Sequence, residues 1–226
     1  MSPRGERWID PFAGIPGRRL FIAVPLPDDA AEAVRSIVDE VRAEPLPAGA
    51  RDVRWVRLDG LHLTLRFLGP TPEDRLEPTV AAVRSVATAA PGPITVQLGG
   101  AGTFPPQGRP RALWIGIVDG AEALGQLAAE LDTALTEAGW ASERRAFRPH
   151  LTLARSDGVA AGPLVAGRLD AAMARGTIPV TLDRLGLFES VTGGGPARYV
   201  PVTSTDLGAI ASEPPGVYHE SAPDPH

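Results

Sequence analysis

Two of the four histidines stand in identical tetrapeptides, His62-Leu63-Thr64-Leu65 and His150-Leu151-Thr152-Leu153. An imidazole, with a reference pKa of about 6.5, exists in both protonation states near neutral pH. Two of them can divide acid-base work: a neutral ring takes a proton from water, and a protonated ring donates to a departing alkoxide. Threonine hydroxyls at the third position of each motif can hold the non-bridging oxygens of a phosphate. A lone histidine on a strand is more often structural than catalytic. Repetition of the whole tetrapeptide makes coincidence the weaker account, as do the arginines before each copy: Arg51, Arg54 and Arg57, then Arg144, Arg145 and Arg148. His219 and His226 lie in an end segment rich in Pro, Glu and Asp, where a solvated role is expected.

Other chemistries are removed by composition. There is no cysteine, which excludes disulfides, thiolate nucleophiles and cysteine-ligated zinc, and fits a reducing, cytoplasmic compartment. All 22 basic residues are arginine, so P-loop and Schiff-base lysines are absent. No His-Glu-x-x-His or carboxylate-rich loop appears, and neither a metal nor a cofactor is expected. A net charge of -5 argues against a long groove neutralising many phosphates, but allows a small nucleotide or a single RNA end. No apolar run approaches the roughly 20 residues of a membrane helix, and the N-terminus lacks the apolar core of a signal peptide.

The elements that must position the histidines follow from periodicity. Residues 19–24 form an apolar run stopped by Pro25 and Pro27, as in a buried strand. Residues 28–42 carry apolar side chains at helical spacing behind Asp28 and Asp29. In residues 61–69 the alternation predicts a strand, with His62 and Thr64 on one face and the leucines on the other. A helix over 72–89 and a strand over 94–98 follow, then a Gly/Pro-rich segment, 99–110, read as a loop. From Ala112 the order begins again: strand 113–118, helix 121–138, then the second histidine strand. The two halves resemble a weak internal duplication. The expected fold is α+β and bilobal: two antiparallel sheets with flanking helices, related by a pseudo-two-fold, with a cleft between them. Strands 179–187 and 198–203 are expected to complete the second sheet. Residues 1–18 are expected to be an extension, 19–211 a single domain, and 212–226 a disordered tail.

Over residues 19–207 the sequence resembles the two-histidine phosphoesterases, and within them the RNA 2′,3′-cyclic phosphodiesterases, also called 2′-5′ RNA ligases. The resemblance rests on R-L-F-I-A-V at 19–24, W-V-R-L-D-G-L-H-L-T-L-R-F-L-G at 55–69, and G-x-F-P with R-P-R-A-L-W-I-G within 102–116. It continues in R-P-H-L-T-L-A-R at 148–155 and L-F-E-S at 187–190. It implies hydrolysis of a terminal 2′,3′-cyclic phosphate to a 2′-phosphate, reversible 2′-5′ joining of RNA ends, RNA ends or cyclic nucleotides as partners, and a monomer. His62 and His150 would be catalytic, with the acid and base roles open between them, and Thr64 and Thr152 would hold the phosphate. Strict alternation puts Arg155 on the core side, where an unpaired arginine is rarely found. The strand is therefore expected to end before it and turn it towards the phosphate. Phe67 holds the equivalent place in the first copy; core packing is favoured there over stacking on a nucleobase. Arg109 and Arg111 are divided between guiding an RNA end and plain solvation. The residues alone leave other readings open: a related enzyme on another cyclic nucleotide or a 2′-5′ oligonucleotide, or a non-catalytic RNA-end-binding module.

Overall fold

A computed structural model describes residues 16–48, 53–156, 161–193 and 195–209. The expected extension lies outside the described residues except for 16–18, and the expected tail, with His219 and His226, lies outside them entirely. In chain order the elements are β1 (Arg18–Pro25), α1 (Asp28–Ala43), β2 (Val53–Trp55), β3 (His62–Thr71) and α2 (Leu76–Ala89). Then come β4 (Ile94–Phe104), β5 (Ala112–Asp119), α3 (Ala121–Glu137) and β6 (His150–Ser156). Last are α4 (Ala161–Met173), β7 (Ile178–Leu182), β8 (Arg184–Gly193) and β9 (Gly195–Asp206). No described helix is long and apolar enough to cross a membrane.

The α+β class and the antiparallel pairing are as expected, but the division into two sheets is not. Among the described residues nine strands form one sheet, ordered β7-β4-β5-β6-β3-β1-β8-β9, with β2 beside β6. The two histidine strands are central neighbours, joined through the pair Leu63↔Leu151. Both leucines are fully buried, which is why this contact welds the halves together. Helices supply the rest of the core, with Val34, Val38, Val83, Leu131 and Leu169 packed in one cluster with the sheet leucines. Leu63→Ala should therefore cost about 2–5 kcal/mol of stability, the range for truncating a well-packed core leucine. Equilibrium urea unfolding followed by circular dichroism measures it, and a loss below about 1 kcal/mol would mean that the seam is not tightly packed.

Three further expectations are corrected. The apolar run 179–187 is two strands, broken at Asp183: β7 pairs with β4, whereas β8 crosses to pair with β1 and carries β9 with it. The final strands thus complete the His62 half, because Leu185 and Leu187 find full burial there. The Gly-rich segment is not a loop from Gly99 onward, since β4 continues to Phe104. Gly100 takes a φ of +62° at a register shift, and a Cβ on Gly102 would come within 2.5 Å of the Trp114 ring. These glycines mark a bulge and a close approach within a strand. The helix α4 has no counterpart in the sequence reading, because Gly162, Pro163 and Gly167 dilute its helical period.

Candidate active site

The two motifs are built alike. Gly60 and Arg148 each lie two residues before a histidine, and each turns its carbonyl onto that ring: Nδ1 of His62 lies 2.7 Å from Gly60 O, and Nδ1 of His150 lies 2.7 Å from Arg148 O. A carbonyl only accepts, so Nδ1 must carry the proton in both rings. Nε2 is then the nitrogen left to exchange protons with a substrate. The Leu63↔Leu151 pair sets the register between the strands. Continued by one residue, it puts His62 beside Thr152 and His150 beside Thr64 on the face opposite the leucines. The four residues expected from the motifs are thereby brought together.

Each imidazole is half-buried against aromatic rings. Phe21 and Tyr199 both lie 4.8 Å from the His62 ring, between centroids; Phe104 lies 4.8 Å and Trp114 6.3 Å from that of His150. Tyr199 is on β9, three strands from β3, a separation of roughly 14 Å in a flat sheet. Its contact with His62 shows how strongly the sheet curls over its histidine face. Burial lowers the pKa of both histidines below the usual range, with the carbonyl contacts pulling the other way. The charge of His150 lowers that of His62 further, and the charge of Arg155 does the same to His150. Burial raises the Tyr199 phenol, which also feels Arg155. The two imidazoles, the phenol and the guanidinium therefore share one electrostatic neighbourhood.

Arg155 reaches that neighbourhood by a route different from the expected one. Strand β6 does not end before it but runs on to Ser156. In the β5/β6 ladder Trp114 pairs with Thr152 and Leu113 with Ala154, leaving Leu153 as an extra residue. Such a bulge reverses the alternation, so Arg155 returns to the face of His150 and Thr152. The same shift occurs in the first copy. Ala23 pairs with Thr64 and Ile22 with Arg66, so Leu65 is the extra residue. Leu65 and Arg66 both point away from the histidines, and Arg66 donates to Asp132 on α3 at 2.8 Å. Phe67 then lands opposite Phe21 on the histidine face, 41% exposed and with Arg19 5.8 Å from its ring centre. The favoured core packing of Phe67 is thus corrected.

The basic stretches before the motifs are used unequally. Arg57 is paired with Asp59, and Arg145 with Glu143. Arg51 lies outside the described residues, and Arg109 and Arg111 are exposed beyond the end of β4. Beside His62, a pocket of about 350 Å³ opens between α1 and the Leu58–Gly60 turn, with Phe188 and Tyr199 in its wall. Sequence reasoning missed Phe21, Phe104, Trp114 and Tyr199 as neighbours of the histidines. Three of these fall inside segments that carried the resemblance; Tyr199 had no signal, because only the β9-β8-β1 pairing delivers it.

Paired Nε2 atoms, threonine hydroxyls and a guanidinium on one curled antiparallel sheet are the arrangement of a two-histidine phosphoesterase. The comparisons agree: the chain belongs to the 2′-5′ RNA ligase superfamily, whose family model matches residues 26–194. It is 36% identical over 135 residues to an RNA 2′,3′-cyclic phosphodiesterase of Geobacillus stearothermophilus, an alignment covering 60% of this chain and 41% of that protein. It is 35% identical over 107 residues to an RNA 2′,3′-cyclic phosphodiesterase of Aeropyrum pernix, covering 47% of this chain and 58% of that one. The chain thus spans about half the length of these two curated relatives. A crystal structure of a Thermus thermophilus protein superposes with a TM-score of 0.63 at 27% identity, covering 84% of this chain and 98% of that chain.

Proposed function

We propose that the protein hydrolyses the 2′,3′-cyclic phosphate at an RNA end, leaving a 2′-phosphate, by metal-independent acid-base catalysis. The observation that carries this reading is the duplicated construction at His62 and His150: each Nδ1 is anchored to a carbonyl, and the Leu63↔Leu151 register, continued by one residue, sets a threonine of the other strand opposite each histidine. One neutral Nε2 removes a proton from water as the water attacks phosphorus. The other, protonated, donates to the O3′ alkoxide as the P–O3′ bond breaks, so the site ends the step with the proton moved from one ring to the other. Thr64, Thr152 and Arg155 hold the non-bridging oxygens and stabilise the charge that builds on them. Phe67, exposed on the same face, offers a stacking surface for a nucleobase. All these groups belong to one chain, so a monomer suffices, and the cysteine-free sequence fits work in the cytoplasm. With an RNA 5′-hydroxyl attacking in place of water, the same proton transfers form a 2′-5′ bond as the P–O3′ bond breaks, and run backwards they cleave it.

The test is incubation of purified protein with nucleoside 2′,3′-cyclic phosphates and with an oligoribonucleotide ending in one. The expected result is turnover to a 2′-phosphate product at an unchanged rate after exhaustive treatment with EDTA. Activity lost on chelation and restored by one particular divalent ion would contradict the chemistry. Tight binding without turnover would favour the RNA-end-binding alternative.

A further inference from the structure

The two bulges present different residues at equivalent places. Phe67 follows one motif and Arg155 the other, so a site built from repeated parts has an aromatic end and a cationic end. The cationic end continues onto β2. From Ala154 onward the neighbour of β6 is β2 rather than β3, in the pairs Val53↔Ser156, Arg54↔Arg155 and Trp55↔Ala154. Arg54 and Arg155 are thus direct cross-strand partners, both exposed on one face. An oxyanion between two guanidiniums can accept a charge-assisted hydrogen bond from each. Arg155 is electrostatically coupled to His150 and Tyr199, which makes the pair continuous with the catalytic face. Three residues, less than roughly 10 Å once the bulge at Leu153 is counted, separate Thr152 from Arg155, a gap that a long arginine side chain can span towards a phosphate held at the histidines.

We propose that Arg54 and Arg155 form a second phosphate subsite, which takes the phosphodiester next to the cyclic phosphate. The proposal rests on the cyclic-phosphate reading above and narrows its substrate to an oligoribonucleotide end carrying at least one internal phosphate. A footprint of two phosphates also fits a chain of net charge -5, which cannot offer a long basic groove. Arg155 serves both phosphates, whereas Arg54 reads only the second.

Steady-state kinetics on two substrates test this: a nucleoside 2′,3′-cyclic phosphate, and a dinucleotide with the same cyclic terminus. Arg54→Gln should lower kcat/KM about 10-fold on the dinucleotide, as expected for loss of one charge-assisted hydrogen bond, and leave the mononucleotide within about twofold. The slope of log kcat/KM against log salt on the dinucleotide should fall by about 0.7, the contribution of one single-strand phosphate contact. Arg54→Lys should recover part of the loss. With unaltered protein, a neutral methylphosphonate at the internal position should reproduce the Arg54→Gln defect, which decides the matter even if the variant fails to fold. Equal losses on both substrates, or no loss on the dinucleotide, would overturn the subsite. Turnover of neither substrate by the unaltered protein would overturn the cyclic-phosphate reading and the subsite with it.

Discussion

Replacing either His62 or His150 by alanine is expected to lower kcat/KM on a cyclic-phosphate substrate by about 10²- to 10⁴-fold, the usual worth of one general acid or base. Asparagine is the more informative replacement. Its side-chain amide can still donate to the Gly60 or Arg148 carbonyl in place of Nδ1, but nothing at the Nε2 position can titrate. The asparagine variants should therefore be as inactive as the alanine variants while unfolding at a higher denaturant concentration. His62→Ala also opens space between Phe21 and Tyr199, so a difference in stability between the two replacements should be larger there than at the less enclosed His150. Because one ring accepts a proton while the other gives one up, removing both should cost far less than the product of the single losses. Retention of more than about a tenth of the activity by a folded single variant would remove that histidine from the chemistry, and multiplicative losses would mean independent roles.

The central strands were legible because they obey simple alternation: buried leucines between His62 and Thr64, and between His150 and Thr152, settle which side chains share a face. Alternation fails just beyond the threonines. A bulge at Leu65 or Leu153 leaves no mark in a sequence of apolar residues, since both leucines are equally at home on the core side. The cost of burying an unpaired guanidinium still directs Arg155 to the phosphate side, although it is the bulge, not a strand end, that turns it there. Phe67 carried no such penalty, so the same bulge misled the reading. Long-range order was the least legible: nothing local tells β8 to leave β7 and pair with β1, and with that crossing goes Tyr199 against His62. Glycines misled in the opposite direction. Those of β4 look like loop residues but serve a strand that must pass beneath the Trp114 ring.

The pH dependence of turnover should be bell-shaped and displaced towards acid. Burial lowers the pKa of both histidines, each ring's own carbonyl contact opposes that shift, and the charges of His150 and Arg155 add to it. In the free enzyme the pair thus holds its single productive proton at pH values below about 6.5, the reference value for histidine. Above this range the acid is empty; well below it the base is also protonated. The two limbs of kcat/KM report the coupled pair, not named residues. A bound phosphate anion favours imidazolium, so the kcat profile should lie on the alkaline side of the kcat/KM profile. Arg155→Gln gives the sign an independent check: removing a cation that disfavours protonated His150 should move the kcat/KM profile towards alkali, even though substrate binding weakens. Phosphorus NMR of the product completes the argument, because an acid fixed beside O3′ breaks only the P–O3′ bond and leaves a 2′-phosphate. A 3′-phosphate product would put the acid beside O2′. A rate that climbs steadily to high pH, or an Arg155→Gln profile displaced towards acid, would remove the imidazolium from the mechanism as drawn.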